Sequence, residues 1–141
     1  MLHEIDILET RRIADLAAAA RQARDRALAP LPETDLGQIR PARGEHHMAG
    51  ALGFDALGEG EPAHRALREA IATLPADIGR KLWVVMRTGR GDYARGEWDR
   101  AIADAEANSA ESIAADLAEA VDLHDQLMKG LYELGVATPP P

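Results

Sequence analysis

The sequence predicts an all-α fold, a single-domain bundle of about five helices with a long Pro/Gly-rich loop after helix one. Apolar residues recur at three- and four-residue spacing over most of the chain, which is the pattern of amphipathic helices. Alanine supplies much of the 46% hydrophobic content and only 4% of the residues are aromatic, as in helices that pack closely. The 141 residues are enough for one domain with its own core.

Residues 1–30 are predicted to form the leading helix, from about Ile7 to Leu28. Asp6 fits an N-cap, and Glu9 three residues later completes an approximate capping box. Pro30 ends the helix, because proline cannot continue it. The apolar stripe is lined with alanine, and such a stripe can pack closely on a partner helix. This is one argument for self-association.

Residues 31–60 are predicted to be a loop, with six of the 12 glycines of the chain. A loop of this length in a compact domain is usually functional or mobile. The short apolar piece from Met48 to Leu57 is compatible with an extra short helix. His46 and His47 precede that piece, but adjacent side chains point in different directions and no acidic residue stands at ligand spacing. No metal site and no cofactor are therefore predicted.

Residues 61–135 are predicted to be the helical core, followed by a frayed tail at 136–141. The second helix starts at Glu61-Pro62, with proline at its first position. A short break at residues 73–75 makes it a packed neighbour of the third helix. The third helix contains the apolar run Leu82–Met86 and is expected to be buried on nearly all sides.

The stretch Gly89-Arg90-Gly91-Asp92 is predicted to be a sharp structural turn, and Trp98 begins the fourth helix. Gly89 fits the residue after the third helix, where a positive φ is needed that glycine adopts most easily. Asp92 fits a cap of the following turn or helix. Arg90 fits a structural residue whose side chain links the turn by hydrogen bonds to a carboxylate or to the carbonyl groups at a helix end.

Residues 109–134 are predicted to form one long helix, and two shorter helices are the alternative. Ser109 is a candidate N-cap, and Gly135 fits the residue after the last turn. One 3.6-residue period passes close to nearly all apolar positions. These positions are Ile113, Leu117, Ala120, Leu123, Leu127, Leu131 and Leu134.

The specific features of the core are Leu74, Leu82, Trp83, the Gly89–Asp92 turn, Trp98 and the closing Leu127–Gly135. Together they resemble a small proteobacterial family of unknown function, family 3775 in the domain-of-unknown-function series. The resemblance covers helices two to five well and the amino-terminal third loosely. It implies a helical fold and supplies no activity.

The chain departs from the pattern of that family at Asp116, Val121 and Gln126. The family has Tyr, Pro and Tyr at these positions. The absence of the proline favours an unbroken last helix, because proline would end or kink it.

The composition argues against several classes of function. A net charge of −8 argues against nucleic-acid binding, since a basic surface supplies most of that affinity. The absence of cysteine excludes disulfides, thiolate zinc sites and cysteine nucleophiles. The amino end has acidic residues before any apolar run, unlike a secretory signal, and no run approaches the roughly 18 apolar residues of a membrane span. We therefore expect a cytoplasmic bacterial protein without a membrane partner.

The charge is unevenly distributed, with basic residues concentrated between Arg65 and Arg95 and acidic ones between Glu97 and Glu133. Two interpretations remain open. The two faces can complement each other inside the fold or across a dimer, or the basic face can hold an anion. The candidate ligand-binding residues of the second interpretation are Arg87, Arg90, Asp92 and Arg95.

No catalytic residue is predicted, because no serine, histidine and carboxylate stand at a spacing that suggests activation. The leading hypothesis is a non-enzymatic interaction or regulatory module that binds an unknown protein partner or a second copy of itself as a homodimer. The alternative is a small anionic-ligand-binding protein or enzyme that uses the basic patch at the Gly89–Asp92 turn.

Overall fold

The computed structural model describes residues 2–28 and 61–136, and within them the chain forms six α-helices and no strand. The helices are α1 Glu4–Leu28, α2 Pro62–Ala72, α3 Ala76–Arg90, α4 Trp98–Glu106, α5 Ala110–Glu119 and α6 Leu123–Glu133. A 3₁₀ turn, Arg95–Glu97, precedes α4. The predicted all-α class is confirmed. The predicted loop at 31–60, with His46 and His47, and the tail from residue 137 onward lie outside the described residues.

The helix α3 is the centre of the bundle, as predicted. Its residues Leu82–Met86 are five consecutive buried side chains, so every side of the helix is apolar there. The most extensive packing of α3 is against α6, and α4, α5 and α1 surround the rest of it. One cluster of buried residues joins all six helices.

The helix α1 begins earlier than expected, at Glu4, so Asp6 lies inside the helix and is not its N-cap. Its carboxylate instead accepts a hydrogen bond from the backbone N–H of His3, at 2.8 Å. A side chain in the first turn that reaches back to the N–H before the helix is the second half of a capping box.

The alanine stripe of α1 is buried within the chain itself. Ala14, Ala17 and Ala20 are at most 7% exposed, and α1 packs on α2 and α6. The small side chains let the helices approach closely. The stripe is therefore not a free surface for a partner, and the argument for self-association drawn from it was wrong.

The start of α2 agrees with the prediction. Pro62 occupies the first turn, where its missing N–H has no intrahelical partner to lose. The side chain of Glu61 accepts a hydrogen bond from the N–H of His64 at 2.9 Å and so caps the helix. The helix buries Leu67, Ala70 and Ile71.

The last helical region is two helices, so the prediction of a single helix was wrong. Ser109 caps α5 by accepting from the N–H of Ser112, as expected. The chain then leaves the helix at Ala120, whose backbone is extended, before α6 begins. In one unbroken helix Leu123 would lie about 240° around the axis from Leu117. The break lets both side chains be buried, Leu117 at 0% exposure and Leu123 at 2%.

The helix α6 is also fastened to α1. The ring Nδ1 of His124 lies 2.9 Å from the carbonyl oxygen of Ala14, and because the carbonyl can only accept, Nδ1 is the donor. Within residues 2–28 and 61–136, no helix has both the length and the apolar content required to cross a membrane.

Candidate functional site

The helix α3 continues through Arg90 and ends at Gly91, whose φ is +91°. The N–H groups of Gly91 and Asp92 donate to the carbonyls of Thr88 and Arg87, at 3.0 and 2.9 Å. This pair of bonds with a left-handed glycine is a Schellman motif. The prediction that Gly89 holds the positive φ was therefore wrong. Gly91 has that role.

Gly89 is instead a buried helical residue at a close helix crossing. A Cβ at this position would overlap the carbonyl oxygen of Gln126 on α6 and lie 2.8 Å from its carbon. In the same way, a Cβ at Gly130 would overlap the carbonyl oxygen of Val85 on α3. Both positions require glycine because the helix backbones themselves are in contact.

Asp92 caps neither a helix nor the following turn, so the prediction that it is a cap was wrong. Its Oδ2 accepts a hydrogen bond from Nη1 of Arg87 at 3.2 Å and lies 3.6 Å from Nε of Arg90. The cap of the following 3₁₀ turn comes from Glu97, whose carboxylate accepts from the N–H of Ala94 at 2.8 Å. Asp92 therefore gathers two arginines from the last turn of α3.

Arg87 connects the turn to a tryptophan and to α5. Its guanidinium stacks over the ring of Trp83, 4.7 Å from the centroid, in a cation–π contact. Nη2 of Arg87 lies 3.9 Å from Oδ2 of Asp116. The same Oδ2 accepts a hydrogen bond from Nε1 of Trp83 at 3.0 Å. Asp116 thus links α5 to α3 through both residues.

Tyr93 extends this group towards α4. Its hydroxyl donates to Oδ2 of Asp104 at 2.7 Å, and its ring centroid is 6.3 Å from that of Trp83. The hydrogen bond to the carboxylate, together with burial, raises the pKa of Tyr93 above its usual value. The guanidinium of Arg100 lies over the ring of Tyr93, 5.3 Å from its centroid.

These side chains form one aromatic and charged group, called here the Trp83 cluster. Its members are Trp83, Arg87, Arg90, Asp92, Tyr93, Arg100, Asp104 and Asp116. The cluster contains three arginines and three carboxylates, so it carries no excess positive charge, and Arg100 is additionally paired with Glu97 at 2.8 Å. Its evident chemical role is to hold α3, α4, α5 and the turn together.

The four predicted ligand-binding residues are not all brought together. Arg87, Arg90 and Asp92 meet in the Trp83 cluster, whereas Arg95 lies against Gly135 at the end of α6. A Cβ at Gly135, whose φ is +75°, would lie 2.8 Å from Nη1 of Arg95. Trp98 begins α4 and packs against the core.

The cluster residues Asp104, Tyr93 and Asp116 were not predicted from the sequence. Asp116 had one signal, since the family resemblance implies a tyrosine at that position. Tyr93 directly follows the predicted turn, but no local spacing connects it with Asp104 on the next helix. Their partners come from other elements, and that information is absent from a local pattern.

Asp6 forms a second polar centre. Its carboxylate is 2% exposed and accepts a hydrogen bond from Nζ of Lys81 on α3 at 3.0 Å. Burial by itself would raise the pKa of Asp6, but the hydrogen bonds from His3 and Lys81 and the charge of Lys81 lower it below the ordinary value. The pair fastens the first turn of α1 to α3.

The first turns of α1 also carry an exposed apolar surface. Ile5 is 56% exposed and Leu8 is 63% exposed, and a separation of three residues places them on one helix face. Glu4 and Arg11 are exposed beside them, and with Leu8 they line a shallow depression. The α1 surface is defined as Glu4, Ile5, Leu8, Arg11 and Arg12.

Within the described part of the chain, no three His, Asp or Glu side chains lie close enough together to hold a metal ion. The larger depressions are open ones. One of them lies between the ends of α3 and α6 and is lined by Arg90, Lys129, Asp122 and Asp125 among others.

Comparison with known proteins identifies a family for this chain. The family model described as Protein of unknown function (DUF3775) matches residues 64–136, from the first turn of α2 to just past α6. The Trp83 cluster and the Gly89–Gly130 crossing lie inside the matched segment, and α1 lies outside it. No curated protein and no solved structure matches the chain.

Proposed function

The chain belongs to the family described as Protein of unknown function (DUF3775), and from its own surfaces we propose that it is a non-enzymatic interaction module that binds a protein partner through the α1 surface. The observation that carries this proposal is the exposure of Ile5 and Leu8 on adjacent turns of a helix whose other face is buried. Single exposed apolar residues are common on soluble proteins, but two neighbours on one face form a small patch.

Burial of this patch favours binding. Complete burial of a Leu or Ile side chain contributes about 1.5–3 kcal/mol, so covering the exposed halves of two such residues contributes roughly 2 kcal/mol in total. The flanking charges of Glu4 and Arg11 add specificity at the rim of an interface.

The pairing of the charged groups within the fold supports a binding role over a catalytic one. Lys81 and the arginines Arg87 and Arg90 of the Trp83 cluster all face carboxylates of the chain itself. These groups already have counter-ions within the fold, and a substrate would have to displace them.

The test is site-specific photo-crosslinking in the host cell. A photoreactive amino acid replaces Leu8, Ile5 or, as a control, Glu106, which is exposed on α4. We expect a discrete covalent adduct from positions 5 and 8 and none from position 106. If neither α1 position yields a discrete adduct, the α1 surface is not a binding surface and the proposal fails.

A second candidate function is binding of a small anion, and one observation favours it. Arg90 is 43% exposed on its side chain and shares an open depression with Lys129. Arg87 lies beside Arg90, with Asp92 as the group that orients both arginines, whereas Arg95 lies against Gly135 and would not share that ligand. Two carboxylates, Asp122 and Asp125, line the same depression and oppose an anion there.

Thermal unfolding separates this candidate from the first. Phosphate, nucleotides and organic acids should raise the melting temperature only if one of them binds the folded chain. The rise should be lost in Arg90→Gln and kept in Arg26→Gln, a control on the exposed end of α1. An unchanged melting temperature with all ligands would reject the anion site.

A further inference from the structure

We propose that the partner of the α1 surface is a second copy of this chain, bound through an antiparallel pairing of α1 with α1 in which Leu8 lies on the two-fold axis. This inference rests on the proposed function, because it names the partner of the same surface. It follows from where the charges of α1 stand relative to its apolar residues.

The positions around the helix show the arrangement. At 100° per residue, Glu4 and Arg11 lie about 40° and 60° to one side of Leu8, and Ile5 and Arg12 lie at similar angles on the other side. The α1 surface therefore has two edges. One edge carries the opposite charges of Glu4 and Arg11, and the other carries the apolar Ile5 and the basic Arg12. All five side chains are exposed.

A two-fold axis at Leu8 relates two copies of α1 that run antiparallel. Each edge of the α1 surface then faces the same edge of the other copy, running in the opposite direction. Glu4 stands four residues before the axis and Arg11 three residues after it, so Glu4 of each copy faces Arg11 of the other. Leu8 packs on Leu8, and Ile5 packs on the aliphatic stem of Arg12. Two equivalent ion pairs thus flank an apolar centre, which is the self-complementarity that a two-fold interface needs.

A parallel pairing of the same strip has no such match. It places Glu4 beside Ile5 of the other copy and Arg11 beside Arg12, so two basic side chains are brought together and the carboxylate gains no partner. Like charges in contact across an interface are unfavourable. The charge pattern therefore selects the antiparallel arrangement.

The charges that would pair are available. Neither Glu4 nor Arg11 makes an ion pair with a described residue, whereas Arg12 is held by Glu9 at 2.8 Å. The strip is short, and it buries less than the standard interface of about 1,200–2,000 Å². The dimer should therefore be weak, with a Kd on the order of 10–100 µM.

The experiment uses sedimentation equilibrium of the purified full chain over about two decades of concentration around that value. Four samples are compared with the unaltered chain: Glu4→Arg, Arg11→Glu, an equimolar mixture of these two variants, and the control Arg26→Glu. Arg26 is exposed on the same helix but about four turns away from Arg11. All the substituted side chains are exposed, so the folded state should persist, and circular dichroism verifies it.

We expect the unaltered chain and Arg26→Glu to dimerise equally. Each α1 variant alone should dimerise about tenfold more weakly, because it places two like charges opposite each other at both ion pairs. The mixture should recover the dimer. In the mixed dimer the arginine introduced at position 4 of one variant faces the glutamate introduced at position 11 of the other, and the second ion pair keeps its natural residues.

Three results would overturn the inference. If the chain stays monomeric over the whole concentration range, it does not bind a second copy of itself. A crosslink from position 8 to a different protein would then support the proposed function while rejecting the dimer. Single variants that dissociate without recovery on mixing would reject the antiparallel register. Variants that dimerise like the unaltered chain would place any self-association elsewhere.

Discussion

Gly89 of α3 and Gly130 of α6 occupy reciprocal positions, because each is the place where a Cβ would enter the backbone of the opposite helix. The two helices that form the most extensive contact of the bundle therefore meet backbone to backbone at this point. The carbonyl groups in contact belong to Gln126 and Val85.

Substitution of Gly89 should be costly, and Gly79 of the same helix provides a matched control. Gly89→Ala forces α3 and α6 apart and should destabilise by about 1–3 kcal/mol or more. A Cβ at Gly79 would lie 4.0 Å from Cγ2 of Ile113, an ordinary contact, so Gly79→Ala should stabilise by about 0.5–1 kcal/mol. Urea unfolding of both variants measures the difference. Equal effects would contradict the close crossing.

The end of α3 should respond to a different property of glycine. Gly91 has open space around it but a φ of +91°, so Gly91→Ala should cost about 1 kcal/mol from backbone strain alone. Gly96 also has nothing within 4 Å of a Cβ and no positive φ, and Gly96→Ala should change stability by less than about 0.5 kcal/mol. A Gly91 variant as stable as the Gly96 variant would show that the left-handed cap is absent.

Asp116 should be a stabilising residue of the Trp83 cluster. Asp116→Ala removes the acceptor of the Trp83 N–H and a carboxylate beside Arg87, and should cost about 1–3 kcal/mol. Asp116→Asn keeps an acceptor and should cost less. Glu69→Ala, an exposed acidic residue on α2, serves as the control. Denaturant unfolding gives the stabilities, and near-ultraviolet circular dichroism reports whether the Trp83 environment has changed.

The Asp6–Lys81 pair should make stability depend on acid pH. The pKa of Asp6 is lowered in the folded chain from an ordinary value of 3.8, so its contribution is present above that value and is lost as pH falls through the folded pKa. The stability difference between the unaltered chain and Asp6→Asn should therefore be constant near neutral pH and shrink in acid. The exposed Asp15→Asn gives the baseline. A difference that stays undiminished throughout the acid range would exclude the ionised carboxylate as its source.

Much of the fold follows from local sequence, as the start of α2 shows. The Glu61-Pro62 pair provides a side-chain cap and a proline in the first turn, and both effects act within a few residues. The apolar run Leu82–Met86 similarly predicts a helix buried on all sides, because no face of it is polar.

The errors occur where a distant element decides the outcome. Gly89 and Gly91 are two residues apart, and either one fits a helix end locally. The position of α6 decides between them, because Gly89 is needed for the crossing. The break at Ala120 has a related cause, since one helical period passes close to most apolar positions on both sides of it, and the burial of Leu123 depends on where α1 and α2 lie. One partner of Arg87, Asp116, is likewise on another helix.

The burial of α1 has a consequence for how far the chain can be shortened. The segment that matches the family starts at residue 64, yet α1 covers the apolar sides of α2 and α6 with Ile13 and its alanines and supplies the carboxylate for Lys81. A fragment trimmed to residues 64–136 would expose the apolar sides of α2 and α6 to water. It would also leave the ammonium group of Lys81 without its counter-ion. Such a fragment should aggregate on expression, and co-expression with a separate peptide of residues 1–28 should recover soluble material.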